Sequence, residues 1–228
     1  MAPLKVHRDR ISPNHDARRS DKPVDILLLH YTGMESAAAA LDRLCDPVFK
    51  VSAHYMIDEC GEIWALVPED RRAWHAGKAF WAGETDINAR SIGIELVNPG
   101  HEFGYRPFPE AQMVALDALA KDILNRHRIP AERVLGHSDV APDRKTDPGE
   151  LFDWRRLAAA GIGLWSDATR AVTGEGVEAF MRRYGYADAS TAAIAAFQRH
   201  YRPASITGEA DDETAARLAD LVRRMGTA

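Results

Sequence analysis

The sequence predicts an α/β protein: a central mixed β-sheet flanked by helices, followed by a small three-helix module. Three observations carry this. Short apolar runs at 24–29, 51–57, 62–67 and 91–97 are interspersed with helical patterns. A polar stretch from Leu135 to Gly149 follows a short apolar approach, Arg133-Val134-Leu135, which is how the end of a sheet strand carries functional side chains. After Trp165 the strand-like runs stop and three short amphipathic patterns follow. Residues 1–160 are therefore read as one domain and 165–228 as a second, with no long flexible linker to keep them from packing together.

Taken in order, the first two dozen residues hold Pro3, Pro13 and Pro23 among charges and read as an irregular lead-in. Val24 to Leu29 is nearly continuous apolar sequence leading into His30, which suits a strand buried on both faces. Ser36 caps a helix that puts Leu41, Leu44 and Cys45 on one face and ends before Pro47. The runs 51–57 and 62–67 flank Asp58-Glu59-Cys60-Gly61, a hairpin signature. Residues 71–88 mix aromatics, glycine and charge without a period and read as an ordered surface loop. In the strand 91–97, Ile92, Ile94 and Leu96 share one side and Glu95 takes the other.

Pro109 opens a long helix in which Met113, Leu116, Ala120, Ile123 and Leu124 recur at helical spacing, and Pro130 follows its end. A short strand then leads into 135–149, expected to be irregular throughout because Pro142 and Pro148 remove backbone donors and push the residues before them out of the helical region. The C-terminal helices are expected near 177–184, at 190–201 with Ile194, Phe197 and Tyr201, and after a cap at Asp211 with Leu218, Leu221, Val222 and Met225. Such a module is small but sufficient for its own core.

Composition narrows the function. The net charge is −5 and no basic run interleaves with aromatics, which disfavours nucleic-acid binding. Cys45 and Cys60 make neither a disulfide framework nor a thiolate metal site, and read as unpaired thiols in a reducing compartment. The N-terminus is polar with no apolar core of a leader, and no stretch reaches transmembrane length. A cytoplasmic protein is expected; a leader already removed would make it periplasmic.

Three residues have the chemistry of a catalytic metal site, which takes three protein ligands and leaves one position open. His30 and His137 stand at two strand ends and Asp147 in the loop after the second. Each alone has a plainer alternative, as a satisfied core histidine or a turn aspartate before proline, and spacing does not prove that they meet. Glu95 is the stronger oddity. A carboxylate in an Ile-Gly-Ile-Glu-Leu-Val strand costs several kcal/mol to bury alone. Either it faces solvent on a half-exposed sheet, or it faces the metal and takes a proton from water. Lys145, two residues before Asp147, would set an ammonium beside a ligand carboxylate.

The blocks 26–32, Val51-Ser52-Ala53-His54-Tyr55, Trp74-His75-Ala76-Gly77, 91–98, Gly136-His137-Ser138-Asp139 and Lys145-Thr146-Asp147-Pro148-Gly149 together resemble the zinc-dependent N-acetylmuramoyl-L-alanine amidases of the AmpD type, over about residues 20–160. The resemblance implies the fold shared with peptidoglycan recognition proteins. It implies one Zn²⁺ held by His30, His137 and Asp147, a catalytic Glu95 and a transition-state Lys145. Phage and animal relatives look different, with a tyrosine where this chain has Ala53 and no glutamate at Glu95, so His54 is expected to be structural. The implied substrates are muropeptides, 1,6-anhydro-muropeptides or polymeric peptidoglycan. Arg72, Arg90, Arg144, Trp74 and His75 are candidates to hold them. A non-catalytic muropeptide sensor and a different zinc hydrolase are the alternatives. Tyr184-Gly185-Tyr186, 193–198, Thr207-Gly208 and Asp212-Glu213-Thr214 resemble a peptidoglycan-binding domain, with simple buttressing of the first domain as the other reading.

Overall fold

The computed structural model describes residues 4–18, 22–170 and 176–225. Along the chain the strands and helices are β1 (Val6–His7), β2 (His15–Ala17), β3 (Ile26–Tyr31), α1 (Ala37–Cys45), β4 (Tyr55–Ile57), β5 (Ile63–Ala65), β6 (Arg71–Ala73), α2 (Ile87–Arg90), β7 (Ser91–Leu96), α3 (Gly100–Phe103), α4 (Glu110–His127), β8 (Val134–Gly136), α5 (His137–Val140), α6 (Trp154–Ala159), α7 (Val177–Tyr184), α8 (Thr191–Tyr201) and α9 (Asp212–Arg224). The main sheet runs β1-β5-β4-β7-β3-β8, with only the β4–β5 hairpin antiparallel. It is the mixed sheet flanked by helices that the sequence predicts.

The apolar run 26–29 is buried on both sides because β3 lies inside the sheet. Leu27 and Leu29 pack with Ile92, Ile94 and Leu96 against α4, whose Met113, Leu116, Ala120 and Ile123 form the helical stripe. Ser36 caps α1 by accepting from the Ala39 N–H, and Ser190 and Asp211 cap α8 and α9 in the same way.

Three expectations need correction. The lead-in is not wholly irregular: β1 pairs with β5, and β2 pairs antiparallel with β6, which falls inside the expected loop 71–88. These are two- and three-residue pairings whose partners lie far apart in the chain, too short for a period to show. The stretch 135–149 also contains one turn of helix, α5, ahead of its first proline. There Gly136 donates its N–H to the Asp139 carboxylate and so starts the turn.

The C-terminal helices share a core with the sheet. Ile26, Leu28, Leu135 and Val140 pack with Met181, Tyr184, Phe197, Leu218 and Leu221. Sheet and helices should therefore unfold together. Leu28→Ala and Phe197→Ala should each cost about 2–5 kcal/mol and lower one common transition in urea, followed by both near- and far-ultraviolet circular dichroism. Two separated transitions would show that the cores are independent.

Candidate metal centre and active site

Register places the site. His30 in β3 pairs with Glu95 in β7, and Leu29 on the other side pairs with Gly136, the last residue of β8. His137 follows as the first residue of α5. Alternate residues of a strand share a face, so Ile26, Leu28 and His30 point to the same side. The helices cover the first two, and His30 is left to a cleft of about 720 Å³. Glu95, His137, Lys145 and Asp147 line that cleft with it, as do Trp74, Glu102, Phe103, Arg144 and residues of α1.

His30, His137 and Asp147 are all buried and converge. The His30 Nδ1 stands 3.0 Å from the His137 Nδ1 and 3.0 Å from the Asp147 Oδ2, and the last two are 3.1 Å apart. The hydrogen bonds behind these atoms decide where the protons are. The Ser91 hydroxyl donates to the Ile87 carbonyl, so its oxygen must accept from the His75 Nε2. Burial first, and the neighbouring imidazoles second, hold His75 well below the usual histidine range, so it is neutral with a bare Nδ1. That Nδ1 accepts from the His30 Nε2 at 3.0 Å. His30 is itself pushed down to about 4, by burial and then by His137, and its single proton is spent on that bond. His137 donates its Nε2–H to the Ala76 carbonyl at 3.0 Å.

The His30 Nδ1 is therefore bare, and it faces the His137 Nδ1 and the Asp147 Oδ2 in a buried set of three ligand atoms. Such a set suits a cation among the three, since the bare His30 Nδ1 and the Asp147 oxygen, 3.0 Å apart, otherwise repel. Its edges suit an ion bound at about 2.0–2.1 Å, and each imidazole is steered from behind by a hydrogen bond, as metal-ligating histidines are. The residues present fit a divalent metal.

Glu95 is the other unusual group. Its Oε2 is buried with no hydrogen-bond partner among the described residues. Burial, and then the charge of Asp147, raise its pKa well above the usual carboxyl range, against the pull of Lys145. A carboxyl with such a raised proton affinity, one strand from the candidate ligands, is equipped to take up and return a proton.

The remaining candidates divide. Trp74 and Arg144 line the cleft; Arg144 donates to the Ala76 and Lys78 carbonyls, and the Trp74 indole donates to Asp16 at 3.3 Å. His75 lines it too, but its ring is engaged behind His30. Arg72 is paired with Asp86 and Asp16, and buried Arg90 with Asp25 and Glu84, and neither lines the cleft. Their charges are already used within the fold. His54 accepts from the Gly93 N–H and has its Nε2 3.1 Å from the Arg71 carbonyl, apart from the metal set. Sequence reasoning missed Met34, Arg43 and Phe103 on the cleft walls, which no motif marks.

Comparison with known proteins agrees with this geometry. Residues 20–150 match the family model described as N-acetylmuramoyl-L-alanine amidase. The chain belongs to this family. It is an amide hydrolase of the AmpD type, acting on the bond between N-acetylmuramic acid and L-alanine. It is 37% identical to the N-acetylmuramoyl-L-alanine amidase AmiD of Escherichia coli over 95% of this chain and 89% of that protein. It is 34% identical to the 1,6-anhydro-N-acetylmuramyl-L-alanine amidase AmpD of Enterobacter cloacae, over 65% of this chain and 86% of that one. The structure of AmiD in complex with the substrate anhydro-N-acetylmuramic acid-L-Ala-D-gamma-Glu-L-Lys superposes with a TM-score of 0.80 at 37% identity, covering 93% of this chain and 94% of that one. AmpDh3 from Pseudomonas aeruginosa in complex with anhydromuramic pentapeptide superposes with a TM-score of 0.77 at 36% identity, covering 88% and 92%.

A Cβ on Gly93 would stand 2.6 Å from the His75 ring. Gly93→Ala should displace that ring, release the His30 Nε2 and weaken metal binding about 10–100-fold, read by competition with a chromogenic chelator. Unchanged affinity would show that His75 does not orient His30.

Proposed function

We propose that this amidase uses one zinc ion, held by His30, His137 and Asp147, to release the stem peptide from 1,6-anhydro-muropeptides. The observation that carries the reading is the meeting of three buried ligand atoms in a cleft that Glu95 and Lys145 also line. Two imidazoles and a carboxylate with an open fourth position suit catalytic zinc. When bound, the ion would polarise the scissile carbonyl and lower the pKa of water toward about 7. Glu95 accepts the proton of the attacking water and later delivers it to the departing L-alanine amine. The Lys145 ammonium stabilises the negative charge that grows on the carbonyl oxygen. Trp74 and Arg144 hold the sugar or peptide along the cleft.

Substrate complexes of AmiD and AmpDh3 with anhydro-muropeptides support that choice of substrate. No described helix is long and apolar enough to cross a membrane. A cytoplasmic location would meet such fragments as soluble recycling products, and fractionation of the host tests it. The C-terminal helices bring polymeric peptidoglycan in as a second substrate form. Assaying one preparation on anhydro-muropeptide and on intact sacculus, with chromatography of released peptide, separates the two.

Glu95→Gln should keep zinc and lose about 10²–10⁴-fold in kcat, whereas His30→Ala should lose both metal and turnover. Lys145→Met should lower kcat about 10²–10³-fold with zinc retained. Glu95 works as a base only when ionised and its pKa is raised above the ordinary 4.5, so kcat/KM should fall as pH drops through that raised value. The acid limb should be missing from residual Glu95→Gln activity. Wild-type turnover in Glu95→Gln would remove it from the mechanism.

A further inference from the structure

The turn that carries His137 is held from the C-terminal helices. Asp139, on that turn, is buried, as are Tyr186 and His200, which reach it from beyond residue 165. Its Oδ2 accepts from the Gly136 N–H at 2.8 Å and from the His200 Nδ1 at 2.8 Å, and its Oδ1 accepts from the Tyr186 hydroxyl at 2.6 Å. Two of the three donors to this carboxylate thus belong to the second module. The His200 ring is clamped between Trp154 and Tyr201, with centroids 3.6 and 3.8 Å away, so the donor has little freedom to move. The turn in turn grips the other ligand segment. Ser138 donates its N–H to the Asp147 carbonyl at 2.9 Å, and a Cβ on Gly136 would lie 2.8 Å from the Pro148 ring.

We propose that Asp139, with His200 and Tyr186, is a positioning device by which the C-terminal helices set the spacing of His137 and Asp147, so that the module is part of the metal centre whatever else it binds. This rests on the metal reading above. A buried carboxylate stripped of its donors is an uncompensated charge, which costs several kcal/mol and drives local rearrangement. The rearrangement falls on the residues next to His137. A module that served only as a wall anchor would need no such link to the turn.

The test reads zinc affinity of the purified full chain by chelator competition, beside its melting temperature. His200→Phe keeps a ring between Trp154 and Tyr201 but removes the donor; Asp139→Asn leaves one acceptor oxygen for three donors. Both should weaken zinc binding about tenfold or more. His200→Asn restores a donor near the Nδ1 position and should bind zinc more tightly than His200→Phe. Gln198 bonds within the module to Thr207, Glu209 and Thr214 and does not touch Asp139. Gln198→Ala should therefore lower the melting temperature with zinc affinity unchanged. If His200→Phe and Asp139→Asn do not fold, Tyr186→Phe decides, since it removes one hydroxyl and should still weaken binding severalfold. Wild-type affinity in the folded Asp139 and His200 variants, or in Tyr186→Phe where those do not fold, overturns the proposal, as does an equal loss in Gln198→Ala. Failure of the wild-type chain to bind zinc would instead overturn the metal reading.

Discussion

Two imidazole nitrogens and a carboxylate oxygen, buried together 3.0–3.1 Å apart, are an arrangement that a protein must hold by force. Left alone, the three groups would turn away or take up a proton. The surrounding fold holds both rings in place. The relay from His30 through His75 and Ser91 to the Ile87 carbonyl orients one ring, and the Ala76 carbonyl orients the other. Burial keeps His30 and His75 neutral. Such constraints suit a metal site, because a cation binds best where the ligands need not rearrange.

The sheet supplies the rest of the geometry at little cost. Parallel strands β8, β3 and β7 lie side by side, so residues near their C-terminal ends become neighbours on one face. Sites in α/β sheets gather at such strand ends. The same face is used twice: its lower part, Ile26 and Leu28, is covered by apolar side chains of the C-terminal helices, and its upper part is the cleft floor. The second module and the cleft therefore lie against the same face of β3.

Much of this was legible in the sequence because it depends on local physics. Continuous burial of 26–29, the helical stripe of α4 and the caps at Ser36 and Asp211 follow from residue type and spacing, and each element stands where the pattern predicts it. The pairings of β1 and β2, and the turn α5, did not show. A strand of two residues has no period, and the turn depends on an Asp139 carboxylate stabilised by Tyr186 and His200 far along the chain.

Residue chemistry by itself marked His30, His137, Asp147 and Glu95 as side chains able to bind a metal or move a proton, each with a plainer alternative, and the resemblance to the amidases joined them into one set. Tertiary structure alone decided which of the other polar groups serve the site. His75, read as a substrate contact, became the support of His30, while Arg72 and Arg90 were taken by Asp86 and Asp25. The reason is that a side chain's composition sets what bonds it can make, whereas the partner it finds depends on strand register and on which distant segment covers it.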